Sequence, residues 1–353
     1  LQPLRIIDAN LNRLSEGLRF LEDIARFLLN DVTLSQQLKA MRHDLAEEAK
    51  PLTMALLSQR NSEHDVGVNA NKVKQSQQDL HGVITANAKR AEESLRVIEE
   101  LAKLPEISST LDWSKFEQLR FTLYTLEREL ISKVSRRDKM KLLSGLYVIL
   151  DRQVLAGRDE LDIASQIIWG GAKIIQLRDK QGSKEELLPI AQKLKELCAE
   201  SDVLFIINDY LDLALAVDAD GLHIGQGDLP LSIIRRELPI DKIVGCSVTT
   251  VSQAIKAQND GADYISVGSI FPTTMKKEAT VVGVGMLKEV KQAVSSPLVA
   301  IGGINEDNIG QVVVAGADSV AVISAVLGEE DVKEAVHWLI AQMELAKEKC
   351  QSR

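Results

Sequence analysis

A series of short polar clusters in the C-terminal two-thirds of the chain carries the residue types that hold phosphates and a hard cation. They are Gln176-Leu177-Arg178-Asp179-Lys180, Asn208-Asp209, His223 with the following Gly225-Gln226-Gly227-Asp228, Ser247, Phe271-Pro272-Thr273-Thr274-Met275-Lys276-Lys277, Gly302-Gly303 and Ile323-Ser324. Asp209 and Asp228 offer two carboxylates, which suit Mg²⁺ held partly by substrate phosphate. Arg178, Lys180 and Lys276 supply three cations, enough to hold a diphosphate. Gly302-Gly303 and the Ser324 region offer backbone N–H groups to a separate phosphate. A diphosphate with metal beside a second phosphate implies two phosphorylated substrates. Each residue alone has a plainer reading, since strand ends often carry Asn, Asp or Gly merely to turn the chain. Agreement across successive clusters favours a site.

The elements that must position these residues are short β-branched runs, nearly all of them ending at a cluster. They span 145–152, 173–179, 204–209, 220–225, 243–248, 264–270, 298–304 and 319–325, with helical patterns between them such as 183–200 and 249–261. Near-continuous apolar strands alternating with amphipathic helices predict a parallel sheet covered on its outer face. Eight such units predict a (βα)8 TIM barrel, an α/β fold whose strand C-termini face the active site. An open doubly wound sheet is the alternative, but no GxGxxG follows the first strand. Alternation along the second strand puts Gln176, Arg178 and Lys180 on one side.

Residues 1–134 follow a different pattern. Leu11, Leu14, Leu18, Leu21, Ala25 and Leu28 recur at helical spacing, and strand signals are nearly absent. IDANLNRLSEGLRFLED (7–23) matches ITANAKRAEESLRVIEE (84–100), sharing Asn10/Asn87, Arg13/Arg90, Glu16/Glu93, Arg19/Arg96 and Glu22/Glu99; a weaker match pairs LSQQLKAMRHDL with WSKFEQLRFTLY, including Arg42 and Arg120. The expectation is an all-α bundle built from a duplicated helical hairpin, with 60–75 as its long connecting loop. Polar residues 135–141 (SRRDKMK) read as a linker to a barrel over 142–353. Repeated Arg/Glu pairs usually form solvated faces. Asn10 and Asn87, however, fall near the apolar face with Arg13 and Arg90 at its border, so a polar pocket between repeats is the competing expectation.

Bulk properties narrow the class. The 353 residues carry 42 Lys and Arg against 51 Asp and Glu, a formal net charge of -9, which argues against a non-specific nucleic-acid surface. Cys198, Cys246 and Cys350 are far apart and suggest neither a disulfide framework nor a zinc site. No apolar run reaches the ~20 residues of a membrane span, and the charged first segment is unlike a signal peptide. The expected setting is the cytoplasm, with small phosphorylated molecules as partners and a homo-oligomer left open. The chain opens on Leu, so a few preceding residues are expected.

The motifs Q-L-R-D-K, F-I-I-N-D, D-G-L-H-I-G-Q-G-D, G-S-I-F-P-T, A-I-G-G-I and V-I-S, in this order over 143–345, resemble the thiamine phosphate synthases. The resemblance implies Mg²⁺ at Asp209 and Asp228. It implies hydroxymethylpyrimidine diphosphate on Gln176, Arg178, Lys180, Asn208, Ser247 and Lys276, with Arg178, Ser247 and Lys276 nearest the chemistry. It implies thiazole phosphate on Thr273, Gly303, Ile323 and Ser324, flanked by Thr274 and Met275. The implied reaction is dissociative: pyrophosphate leaves, and the thiazole nitrogen captures a pyrimidinylmethyl cation. Three positions depart from the pattern: Asp179 replaces Glu, Ser269 replaces Pro, and Met275 replaces a Thr on the thiazole side. His223 reads equally as a packed residue or a ligand contact. A thiazole tautomerase would need neither metal nor diphosphate, and a non-catalytic phosphate-binding barrel is a further alternative. The helical third resembles a module fused ahead of such synthases and described as a hydroxymethylpyrimidine phosphate kinase, which implies ATP as its substrate. No GxxxxGK[ST] loop appears, so a scaffold or dimerisation role stands beside the kinase.

Overall fold

In a computed structural model the described residues are 2–59, 79–273 and 280–351. They form two compact units that divide between Arg137 and Asp138. The expected loop at 60–75 lies outside the described residues, as do Thr274, Met275 and Lys276.

The first unit is helical. Helices α1 (Gln2–Asp23), α2 (Val32–Ala49), α3 (Thr53–Gln59), α4 (Leu80–Ala102) and, as far as Arg137, α5 (Trp113–Leu142) account for it, with a π-helical turn at Ile24–Leu28 after α1. Asp31 and Asp79 accept hydrogen bonds from the N–H groups of Leu34 and Gly82, so α2 and α4 begin on side-chain caps. The sequence repeat is a structural one: α1 and α4 carry the first matched segments, and α2 and α5 the second. At Gly17 a Cβ would lie 3.1 Å from the Asn87 carbonyl oxygen and 3.2 Å from the Ala91 Cβ, so small residues let α1 and α4 cross closely. One expectation fails locally. Residues 135–141 continue α5 and are not irregular chain, because Val134 and Arg136 remain buried and extend the helix's packed face past the last repeat residue.

The second unit is a closed parallel barrel. Its strands are β1 (Leu146–Asp151), β2 (Ile174–Arg178), β3 (Leu204–Asn208), β4 (Gly221–Ile224), β5 (Ile243–Val248), β6 (Tyr264–Val267), β7 (Leu298–Ile301) and β8 (Ser319–Val322). Each pairs with the next, and β1 closes on β8. One parity of each strand packs outward on the helices, as Val148, Ile175, Phe205 and Val244 do. The other parity fills the interior with Tyr147, Ile149, Ile174, Leu204, Ile206, Ile243, Tyr264, Val299 and Ala321. That same inward parity delivers Asp151, Gln176, Arg178, Asn208, His223 and Ser247 to the upper interior.

Candidate active site

The barrel interior is apolar at the bottom and polar at the top. Arg178 ends β2 in register with Asp151 at the end of β1, and its guanidinium pairs with the Asp151 carboxylate. Asp151 is fully buried and also accepts from the Gln153 N–H. This anchor was missed in the sequence, where Asp151 looks like any turn residue. It holds one arm of the Arg178 fork and leaves the guanidinium oriented at the mouth, which lowers the entropy lost on gripping a phosphate.

Asp209 follows β3 in the left-handed conformation, at φ 61°, with its N–H on the His223 carbonyl oxygen at 2.9 Å. Asp228 accepts from the Gly225 N–H at 2.7 Å, which fixes the turn after β4. The two carboxylates interact directly: burial, then the charge and hydrogen bonding of Asp228, push the Asp209 carboxyl above its ordinary range, against the pull of Lys180 and Asn208. Lys180 lies 3.6 Å from Asp209. Two crowded carboxylates supplied with one half-exposed ammonium suit a divalent cation. Among the described residues no cluster of three or more His, Cys, Asp or Glu could hold a metal by itself. Asp209 and Asp228 could hold Mg²⁺ if substrate and water supplied its other ligands.

Below the carboxylates a hydrogen-bonded chain crosses the barrel. Gln176 donates to the Tyr147 hydroxyl at 2.6 Å, the Tyr147 and Tyr264 hydroxyls meet at 3.0 Å, Tyr264 meets His223 Nδ1 at 3.0 Å, and His223 Nε2 meets the Ser247 hydroxyl at 2.9 Å. Gly245 makes room for it, since a Cβ there would lie 2.0 Å from the Tyr264 ring. Burial holds His223 neutral by pushing its pKa down to about 4, and raises both tyrosines. Tyr147 and Tyr264 carried no sequence signal, because an aromatic residue inside a strand reads as core.

Opposite, Gly302 and Gly303 follow β7 with φ of 99° and 64°. A Cβ on Gly303 would meet the Pro272 carbonyl oxygen at 2.3 Å and that of Phe271 at 2.8 Å, so glycine lets the loops after β6 and β7 close on each other. Thr273 stands half-buried on the first loop, and Ile323 and Ser324 begin the short helical turn Ser324–Leu327 after β8. A cavity of about 330 Å³ beside the mouth, lined by Arg152, Arg158, Asp179 and Gln181 among others, contains none of the expected substrate residues.

Residues 146–326 match the thiamine monophosphate synthase family, and residues 5–129 match the ThiD2 family. A thiamine-phosphate synthase of Synechocystis is 37% identical over 346 residues, covering 96% of both chains. The chain belongs to the thiamine monophosphate synthase family. A thiamine-phosphate synthase of Clostridium tetani is 48% identical over 194 residues, which is 55% of this chain and 93% of that one. The solved thiamine phosphate pyrophosphorylase of Pyrococcus furiosus is 39% identical, covers 59% of this chain and 98% of its own, and superposes with a TM-score of 0.55.

Two of the departures from the family pattern have structural accounts. Asp179 accepts from the N–H groups of Gln181 and Gly182 and from Arg152, which stabilises the turn after β2. Ser269 donates to the Phe271 carbonyl oxygen at 2.7 Å and so ties down the loop after β6. Met275 lies outside the described residues, as does the cation of Lys276.

In the helical unit Asn10 and Asn87 donate to the carbonyl oxygens of Ile6 and Val83, one turn back on their own helices. Arg13 and Arg90 are exposed. The repeats instead share an ion pair: Arg42 reaches Glu22 at 2.9 Å, and Arg120 reaches Glu99 at 3.1 Å. Both partners occur in the sequence repeat, but the pairing crosses from the first matched segment to the second and needed the hairpin to be seen. No helix of the described residues is long and apolar enough to cross a membrane.

Proposed function

We propose that the barrel joins hydroxymethylpyrimidine diphosphate to thiazole phosphate, giving thiamine phosphate and pyrophosphate. The observation that carries this reading is the pair Asp209 and Asp228, crowded together at neighbouring strand ends beside Lys180 and the anchored Arg178. A tautomerase has no use for that charge arrangement. Arg178, Lys180 and Lys276 grip the diphosphate, and Gln176, Asn208 and Ser247 orient the pyrimidine end. Thr273, Thr274, Met275, Gly303, Ile323 and Ser324 border the thiazole phosphate, whose glycine-lined loops offer backbone N–H groups. Mg²⁺ at Asp209 and Asp228 would supply charge neutralisation to the departing pyrophosphate. Fixed charges placed before the reaction stabilise the charge that develops as the bond breaks, and no strong general base is required. The setting that suits this chemistry is a cytoplasm supplying both phosphorylated substrates.

For the helical unit the proposal is phosphorylation of hydroxymethylpyrimidine phosphate with ATP, which produces the substrate of the barrel. The match of 5–129 to the ThiD2 family favours it. The scaffold reading draws on the self-bonded amides of Asn10 and Asn87 and the exposure of Arg13 and Arg90. One assay tests both readings. The full chain is incubated with Mg²⁺, thiazole phosphate and either pyrimidine diphosphate, or pyrimidine monophosphate with and without ATP, and thiamine phosphate is measured. Product from the diphosphate supports the synthase, and its absence refutes it. Product from the monophosphate only with ATP, lost in Arg13→Ala or Arg90→Ala while the diphosphate reaction persists, supports the kinase. No use of the monophosphate leaves the scaffold.

A further inference from the structure

The chain from Gln176 to Ser247 has four contacts and few hydrogens with which to fill them. Its interior members, Tyr147, Tyr264 and neutral His223, own one transferable hydrogen each, and the two tyrosines and His223 are buried. The fourth hydrogen must come from one end. If the Gln176 amide supplies it, every bond runs toward Ser247: Tyr147 donates to Tyr264, Tyr264 donates to Nδ1, and His223 donates from Nε2 to the Ser247 oxygen. If Ser247 supplies it, every bond reverses and Tyr147 donates to the Gln176 carbonyl. Any mixed arrangement strands a buried donor or acceptor, which costs about 1–3 kcal/mol. The chain therefore has two states, and the ends are coupled across the full width of the barrel.

The structure turns the Gln176 amide nitrogen to Tyr147, which selects the first state. Among the described residues the Ser247 hydroxyl meets only His223, so in this state its hydrogen is available to the mouth. The pyrimidine diphosphate proposed as substrate offers donors only at its amino group. Its phosphate oxygens and ring nitrogens accept, so a donating Ser247 suits it.

We propose that Tyr147, Tyr264 and His223 are positioning residues that form a one-way relay, fixing His223 as its Nε2–H tautomer and committing Ser247 to donate its hydroxyl hydrogen to the substrate while Gln176 presents a carbonyl oxygen. The identity of that substrate rests on the synthase reading; the direction of the relay does not. Gly245 belongs to the same device, because the Tyr264 hydroxyl reaches the axis only through the space that glycine leaves.

The test has two parts. Imidazole ¹⁵N NMR on the full chain, with His223 assigned through His223→Gln, reads the tautomer directly. The Nε2–H form is expected, and an Nδ1–H form overturns the relay whatever the activity. Kinetics then read the coupling. Tyr147→Phe lies three hydrogen bonds from Ser247, yet it should lower kcat about tenfold, the value of one buried hydrogen bond, with the KM for thiazole phosphate unchanged. In a Ser247→Ala background the same substitution should have almost no further effect, since nothing remains to be polarised. Additive losses would mean that Tyr147 acts only through packing, and would overturn the relay. A wild-type chain that makes no thiamine phosphate overturns the synthase reading instead, which the NMR result separates from the first.

Discussion

Asp209→Asn probes the proposed metal site with the least collateral change. Asp209 occupies the left-handed region at φ 61°, which Asn tolerates far better than Ala, so the backbone stays while the charge goes. The Lys180 ammonium lies 3.6 Å away and its side chain is 54% exposed. Two charges at that separation interact by about 1 kcal/mol in water-like surroundings, and exposed pairs rarely contribute more. Losing that pair alone would slow the reaction roughly fivefold. Losing a fixed element that stabilises the leaving pyrophosphate costs about 3–4 kcal/mol, roughly a hundred- to a thousandfold in kcat. The two readings are thus separated by more than a factor of ten. The assay is thiamine phosphate formation from pyrimidine diphosphate and thiazole phosphate, with Mg²⁺ titrated to saturation. The larger loss and a raised Mg²⁺ requirement are expected. In metal-free buffer the variant should melt at a higher temperature, because burial and Asp228 disfavour the Asp209 carboxylate and Asn relieves that cost. A fivefold or smaller loss with unchanged Mg²⁺ dependence would refute the assignment.

Further outcomes test the second phosphate site and the helical unit. Gly303→Ala forces a Cβ against the Pro272 carbonyl oxygen and strains a positive φ, at a cost of about 1–3 kcal/mol; steady-state kinetics should show the KM for thiazole phosphate rising more than that for the pyrimidine, and equal rises would place the loop elsewhere. In the helical unit burial, reinforced by Glu127 and Glu93, raises the Glu92 carboxyl to about 7, and its Oε1 is buried without a partner. A raised carboxyl costs stability increasingly as pH climbs from the unfolded value to the folded one, so Glu92→Gln should raise the melting temperature more at pH 8 than at pH 5, and a pH-independent gain would contradict this. Arg42→Met should destabilise the unit more than Arg120→Met in urea titrations followed by circular dichroism. Glu22 has Arg42 alone among the described residues, whereas Glu99 retains Arg96 at 2.8 Å and Lys103 at 3.2 Å. Breaking a fully buried pair costs about 3–5 kcal/mol where no other partner remains; the Arg42 side chain is 25% exposed, so solvent screening makes its loss smaller than that, and equal losses would show that the extra cations contribute nothing.

Much of the barrel was legible because its determinants are local. A strand buried on both faces must be apolar along its length, and a helix covering it must be amphipathic. The order of runs therefore predicts the order of strands, and polar residues at the ends predict the mouth. Gln176, Arg178, Asn208, His223 and Ser247 reach the interior by the period-two alternation visible in the sequence. The repeat at 7–23 and 84–100 likewise appears as α1 and α4, since matching side-chain patterns fold into matching helices.

What tertiary structure alone decided are the partnerships between distant residues. Asp151 becomes the anchor of Arg178 only because the parallel pairing of β1 with β2 sets the two residues side by side. Tyr147 and Tyr264, 117 residues apart, meet because the barrel brings β1 and β6 to a common axis. Segment 135–141 is polar enough to look like a linker, yet helix propagation from α5 carries through it, since extending a helix already formed is far easier than starting one. Composition and periodicity record which face a residue occupies. They do not record what stands opposite, and that is set by closure of the chain on itself.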